Sequence, residues 1–329
     1  DGMKISSSLK ILGIFAIISV IMPLLMPLGL PVFIIVLLSY IFIYATLSQS
    51  WNYIGGYTGY VLFGANMFFG IGAYVTALLL YHYGVSVFVT AFLGAFLAAG
   101  FALLIGRPTL RLRGPYFSIA TLAVSTTLSL FVMSELWLTM GSRGVPNLWD
   151  PIIPRVGREI AYYYIFLTLM MASALVGWKI ENSKFGYGLL AIRQNEDTAP
   201  VLGIDTTNLK VRAFMLCAFF TALTGAFYSP YMTWISPDSV LSMDITLSPI
   251  LMALFGGAGT FFGPIIGAFL LESLKRYIIF YLVPGSSAHL LPFGVLLAFV
   301  MLYLPNGIIS LFRGRGFALV RRKGEANKS

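Results

Sequence analysis

Six ionisable side chains crowd one stretch of an otherwise apolar chain: Arg193, Glu196, Asp197, Asp205, Lys210 and Arg212. All lie within Phe185–Phe214, FGYGLLAIRQNEDTAPVLGIDTTNLKVRAF. As the longest polar interruption between two apolar runs, with a short capped helix held in it, the stretch suits docking onto a soluble partner. Elsewhere the polar groups are sparse. Asn66 places an amide inside an apolar run, where it serves either as interhelical glue or as a pathway group; alone, it reads as glue. Ser118, Thr121, Ser125 and Ser129 are spaced three, four and four residues apart, which puts them on one helical face. Each hydroxyl can bond its own i−4 carbonyl, but four in register point to a face on a polar cleft or a helix interface.

Other chemistries find no residues to carry them. His82 and His289 are far apart and neither sits in a metal-ligand spacing. There is no G-x-x-x-x-G-K-[ST] loop for ATP phosphates and no recognisable Ser/His/Asp set. No apolar run holds paired acids or a row of arginines, as a proton-coupled carrier or voltage sensor would need. Glu272 precedes Lys275 and Arg276 by three and four residues, so it is expected to pair locally. Cys217, the single cysteine, reads as a small buried hydrophobe.

The charged stretch must be held by local structure. Asp197 or Thr198 is placed to cap a turn with Pro200 in its first positions, where a missing N–H does no harm. Gly203 ends that turn in a left-handed conformation, and Asp205 caps the helix that follows.

The elements around it are membrane helices. The 329 residues are 58% hydrophobic and only 10% charged, too little charge for a soluble surface of this size. With roughly 20 apolar residues needed per crossing, about ten spans are expected. They are Ile11–Leu30, Val32–Gln49, Tyr60–Tyr81, Val85–Ile105, Tyr116–Leu138, Tyr162–Trp178, Ala213–Trp234, Ile245–Phe255, Phe262–Tyr281 and Leu290–Leu311. The first run is long and lacks a small-residue cleavage site, so it reads as a span and not a signal peptide. The net charge of +9 is distributed as a topology signal. Ten spans with the N-terminus inside put 16 of the 21 Lys and Arg residues on inner segments, including the basic tail 313–329. Both termini and the loop 186–212 are then cytoplasmic.

Small residues mark close helix contacts. Asn66, Gly70, Ala73 and Ala77 share one face, Ala91, Ala95 and Ala99 another, and Gly259, Gly263 and Gly267 recur every four residues at the start of the ninth span. The loop GRPTLRLRGP, Gly106 to Pro115, is strongly basic; it reads equally as a topology determinant and as a contact for lipid head groups or a cytoplasmic partner. Gly141 to Glu159, rich in Gly, Pro and Trp, is too irregular to lie in lipid, and its Asp150 and Glu159 read as solvated or partner-facing.

Three stretches together are similar to one family: Leu110–Ala123, LRLRGPYFSIATLA; Phe185–Val240, from FGYGLLAIRQNEDTAPVLGID to YSPYMTWISPDSV; and Gly256–Ala268, GGAGTFFGPIIGA. FFGIGAY at Phe68–Tyr74 adds a shorter match. The chain resembles the permease subunits of ATP-driven importers for branched-chain amino acids. The resemblance implies one all-α polytopic permease domain over residues 1–329, of the type II importer kind, in a bacterial or archaeal-type cytoplasmic membrane. It implies no catalysis by this chain and no cofactor on it, ATP and Mg being held by two separate ATPase subunits. A second related permease and an external substrate-binding protein complete the expected assembly. The family's coupling loop carries a Glu, an Ala and a Gly that fit Glu196, Ala199 and Gly203; Arg193 and Asp197 fall in the same coupling site. Asn66, Ser118, Thr121, Ser125 and Ser129 are the translocation-path candidates, and Gly70, Gly259, Gly263 and Gly267 the packing positions.

The departures concern substrate. Relatives often have a His where this chain reads Ala65-Asn66, and Gly and Glu where it continues after TLA with VSTTLSLF. Similar permeases serve urea or amides. Outside this class, an ion-coupled carrier acting alone would have to use Asn66 and the hydroxyl face, and a membrane-embedded enzyme or scaffold lacks a catalytic set.

Overall fold

In the computed structural model the described residues are 2–23, 31–135, 139–146, 148–153, 157–277 and 307–308. They form helices in the order α1 (Gly2–Ile21), α2 (Val32–Thr58), α3 (Ala65–Tyr83), α4 (Val87–Thr109), α5 (Pro115–Ser134), α6 (Arg158–Glu181), α7 (Lys184–Gln194), α8 (Thr206–Met232), α9 (Pro237–Val240), α10 (Asp244–Gly256) and α11 (Gly263–Tyr277). Among the described residues seven helical stretches are long and apolar enough to cross a membrane: α2 to α6, α8, and Pro237–Gly256. The eighth and ninth expected spans are separate helices, α10 and α11, joined by a turn. The expected tenth span, the end of the ninth and the basic tail lie outside the described residues.

Two boundaries differ from the sequence reading for a physical reason. The second span runs on to Thr58, through Gly55 and Gly56, and the third begins at Ala65. Glycine weakens an exposed helix, but here Gly56 lies against the backbone of Gly259 and a side chain would not fit. The Gly259-Gly263-Gly267 series is also split. Gly259 sits in the turn before α11 at φ +82, while Gly263 and Gly267 press on the backbones of Gly257 and Met252.

Helix α8 is the centre of the bundle, packed along α3 and α4 on one side and α2 on the other. Gly72 of α3 lies on the carbonyl of Ala222, and Gly225 of α8 on the carbonyl of Phe69, so the two helices cross at backbone contact. Helix α4 shows the same logic in section. Its small residues Ala91, Ala95, Ala98 and Ala102 are buried, while Phe92, Phe96, Leu97 and Leu104 are exposed. Gly70 lies against the side chain of Leu241.

At the end of the bundle away from the charged stretch, Val145 and Ile235 form an isolated antiparallel bridge. Asp150, read above as solvated or partner-facing, is buried there. It accepts hydrogen bonds from the N–H groups of Val87 (2.5 Å), Ile152 (2.7 Å) and Ile153 (3.1 Å) and so caps α4 and its own turn. Glu272 pairs with Arg276 at 2.8 Å, as the spacing suggested, but Lys275 turns to Asp244 at 2.8 Å, bringing α10 and α11 together.

Candidate functional site

The stretch between α6 and α8 folds as a helix, a turn and a helix start, each end closed by a side chain. Ser183 accepts from the N–H of Gly186 at 3.2 Å and starts α7. Asn195 then ends α7, and its Oδ1 accepts from the N–H groups of Asp197 (2.9 Å) and Thr198 (3.3 Å). This Asx turn takes the role that the sequence assigned to Asp197 or Thr198. Thr198 occupies the cap position of the short 3-10 turn Ala199–Leu202 but makes no side-chain cap bond. Pro200 stands in its first positions, Gly203 closes it at φ +75, and Asp205 caps α8 through the N–H of Asn208 at 3.1 Å. The hydrogen bonds from the Asn208 backbone and side chain hold the Asp205 carboxyl below its ordinary pKa.

That turn carries a contradiction for a solvent-facing loop. Val201 and Leu202 are 85% and 75% exposed, whereas Ala199 beside them is 1% exposed. Two adjacent aliphatic side chains lie bare on a turn that is itself closed at both ends.

Beneath the turn the charges point inward. Glu196 Oε1 accepts from Lys210 Nζ at 2.6 Å, and its Oε2 accepts from the Tyr60 hydroxyl at 2.5 Å. Lys210 also donates to the carbonyl of Leu110 at 2.9 Å and to the Tyr60 oxygen at 3.1 Å, and it lies 4.6 Å from the Tyr60 ring centre. The Lys210 side chain is 2% exposed, so its charge is matched by a carboxylate, a carbonyl and an aromatic face. Burial alone would raise the pKa of Glu196, but the hydrogen bonds from Lys210 and Tyr60 outweigh it and hold the carboxyl below its ordinary value.

Asp197 next to it bonds Arg113 at 2.6 Å, with both side chains exposed. The Asp197 carboxylate holds the Arg113 guanidinium even higher than usual. Glu196 and Asp197 therefore tie the turn to the α4–α5 loop twice, once under the surface through Leu110 and once on it.

Arg193 makes the third tie. Its Nη1 donates to the carbonyls of Gly56 at 2.5 Å and Ala258 at 3.4 Å. The same 257–261 turn is gripped by Asn52, which donates to Thr260 O at 3.0 Å and accepts from Gly259 N–H at 2.8 Å. Glu181 accepts from Phe261 N–H at 2.7 Å. Asn52 and Glu181 were not singled out in the sequence; each reads there as one polar residue near a helix end. Between α7 and α8 an open groove of about 470 Å³ is lined by Lys184, Tyr187, Ile204, Asn208, Leu209 and Arg212 among others.

The amide and hydroxyl groups in the spans are brought together in part. Asn66 Nδ2 donates to Leu241 O at 2.6 Å, its Oδ1 accepts from Ser125 Oγ at 2.6 Å, and its N–H bonds Thr246 Oγ1 at 3.0 Å. Thr121 and Ser125 are buried. Ser118 donates inward to Val61 O at 2.7 Å, and Ser129 bonds Ser125 O at 3.1 Å. Among the described residues no group of three or more His, Cys, Asp or Glu is close enough to hold a metal ion.

Comparison with known proteins matches residues 33–302 to the family described as branched-chain amino acid transport system / permease component. The chain is 26% identical over 296 residues to the high-affinity branched-chain amino acid transport system permease protein LivM of Salmonella typhimurium, covering 82% of this chain and 68% of the relative. It is 28% identical over 262 residues to the probable branched-chain amino acid transport permease protein LivM of Methanocaldococcus jannaschii, covering 75% and 71%. A shorter match, 26% over 180 residues, is to the autoinducer 2 import system permease protein LsrC of Yersinia pseudotuberculosis, covering 54% and 50%. No solved structure matches the chain.

Proposed function

The chain belongs to the family of permease components of branched-chain amino acid transport systems, and from that premise we propose that it is the translocating subunit of an ATP-binding-cassette importer. Residues 1–329 form one permease domain in the cytoplasmic membrane with both termini inside. The substrate is a branched-chain or closely related amino acid, delivered by an external binding protein. The pathway is shared with a second, related permease, and two ATPase subunits that carry ATP and Mg drive it.

One observation carries this reading: Val201 and Leu202 are bare on a turn that is closed by Gly203 and tied at three points to the rest of the bundle. Exposed aliphatic side chains on a rigid turn fit a partner's pocket better than water. Closure of the ATPase pair would push on this turn. The Glu196–Lys210 and Asp197–Arg113 pairs would carry the push to the α4–α5 loop, and Arg193 to the α10–α11 turn, as a rigid-body shift.

In this scheme Arg193, Glu196, Asp197, Ala199 and Gly203 couple to the ATPases, with Glu196 acting from within. Of the path candidates, Asn66, Thr121 and Ser125 face neighbouring helices. Ser118 and Ser129 share that face of α5 but are only partly buried, and are left to meet the solute. Asn66 and Ser125 are already bonded to each other and to Leu241 and Thr246, which argues against their serving as ion ligands in a carrier acting alone.

The test is a pull-down of the tagged chain from native membranes, with co-purifying subunits identified by mass spectrometry and uptake measured for leucine, isoleucine, valine, urea and small amides. Recovery of P-loop ATPases and a second multi-span protein is expected. Gly203→Pro cannot adopt φ +75 and is expected to insert normally but abolish uptake. A chain that emerges alone from mild detergents, or wild-type uptake in Gly203→Pro, would overturn the proposal.

A further inference from the structure

The α4–α5 loop presents a second, separate feature on the outer surface of the bundle. The outward face of α4 is a stripe of bulky apolar side chains, Phe92, Phe96, Leu97 and Leu104, the last 71% exposed. Arg107 follows Leu104 on the last turn of α4, and Arg111 stands in the turn just past the helix end, where its N–H bonds Pro108 O at 3.4 Å; both arginines are exposed. Leu112 and Tyr116, 42% and 70% exposed, flank them.

These two arginines differ from their neighbour. Arg113 is committed to Asp197, but Arg107 and Arg111 have no carboxylate within salt-bridge range among the described residues. The backbone that carries them is fixed from below. Leu110 is 1% exposed, its carbonyl is taken by Lys210, and its N–H bonds Gly106 O at 2.9 Å. Thr109 bonds Ile105 O at 2.7 Å. Both arginines are thus exposed on a fixed backbone at the point where the apolar outer face of α4 gives way to the basic α4–α5 loop, with the exposed Leu112 and Tyr116 next along the chain.

We propose that Arg107 and Arg111 form a binding site for the phosphate of an anionic phospholipid, with Leu112 and Tyr116 at the boundary between head group and acyl chain. A guanidinium grips a phosphodiester by paired N–H···O bonds, and a tyrosine is at home at that depth. The bilayer supplies the ligand at high local concentration. Lys210 links this site to the turn that bears Val201 and Leu202, but the lipid assignment stands without any role for that turn.

Lipid retention on the purified full chain tests it. The protein is exchanged into neutral detergent, offered phosphatidylglycerol or phosphatidylcholine, and the bound lipid counted by native mass spectrometry. Wild type is expected to retain phosphatidylglycerol in preference to phosphatidylcholine. Each arginine contributes roughly fivefold to that preference, so R107Q/R111Q loses most of it, R107K/R111K keeps part, and K179Q, which changes an exposed cation elsewhere, keeps all. An unchanged melting temperature for R107Q/R111Q in neutral detergent shows that the fold is intact. Equal retention of the two lipids by wild type, or undiminished phosphatidylglycerol on R107Q/R111Q, would overturn the proposal. Displacement of the lipid by inorganic phosphate would reassign the site to a soluble anion. Loss of a co-purifying protein subunit from R107Q/R111Q with lipid retention unchanged would reassign it to a protein contact.

Discussion

Lys210 is a charged side chain enclosed by its partners. Its ammonium is almost fully enclosed, and among the described residues Glu196 is its single carboxylate partner. Removing one member of such a pair leaves an uncompensated charge, which typically costs about 3–5 kcal/mol when the site is buried. Glu196→Ala is therefore expected to lower stability by about 3 kcal/mol, read as a clear drop in melting temperature in detergent. Lys210→Met should cost less, because Glu196 keeps the Tyr60 hydroxyl and some contact with water. In a double-mutant cycle the two losses should fail to add; strict additivity would mean the pair contributes nothing. The pH dependence has a definite sign. The folded pKa of Glu196 lies below its unfolded value, so its contribution is complete above the ordinary carboxylate range, near about 4.3, and is lost as pH falls through the lowered folded value. The acid limb of the stability profile should flatten in Glu196→Gln. The pair was hard to read from sequence. Glu196 and Lys210 are separated by a helix break and a cap, and each alone reads as a charge on a solvated loop. Tyr60, which bonds both, reads in the sequence as the first residue of a span.

At the scale of elements, turn chemistry was the most legible part. Pro200, Gly203 and Asp205 act where their conformational preferences put them, because a positive φ or a missing N–H is a local property. The cap at Asn195 was missed because five polar residues in a row, Arg193 to Asp197, offer several equivalent oxygens. Glycines in the spans have a different meaning, and a matched pair of substitutions separates the two. Gly225 lies on the carbonyl of Phe69, so an added methyl must push α3 and α8 apart. Gly225→Ala is expected to destabilise by about 1–3 kcal/mol, the cost of overpacking. Gly203 has open space around it, so Gly203→Ala costs only the strain of a left-handed alanine, about 1–2 kcal/mol. The loss at Gly225 should appear in helix packing, seen as a lower melting temperature with weaker insertion. That at Gly203, confined to the turn, should lower the melting temperature less than Gly225→Ala does and should also reduce ATPase binding. Equal melting losses for both would show that the turn is part of the packed core.

For the whole molecule the decisive question is which ends of the helices share a side. Over the described residues the helix order was readable because the spans are apolar runs bounded by breakers. The length of α2 was not, because its last turns are glycine-rich and lean on a turn far along the chain, where Asn52 meets Gly259. Contacts seen only in three dimensions now fix relative sidedness. Gly56, Arg113, Arg193, Asp197 and Ala258 meet at one end, while Val87, Val145, Asp150 and Ile235 meet at the other. Positive charge on the first end argues that it faces the cytoplasm. Cys217 is the only cysteine and is fully buried, so single cysteines can be added without removing it. Val201→Cys in the docking turn and Ile152→Cys in the opposite loop, both highly exposed positions, are expected to react with a membrane-impermeant maleimide from opposite sides. In intact cells with a permeable outer envelope, the Ile152→Cys variant should label and the Val201→Cys variant should not; in inside-out vesicles the pattern should reverse. Labelling of both variants from one side would contradict the fold itself. The opposite assignment of sides would keep the fold but turn it over, and with it the assignment of the Val201–Leu202 turn to an internal ATPase.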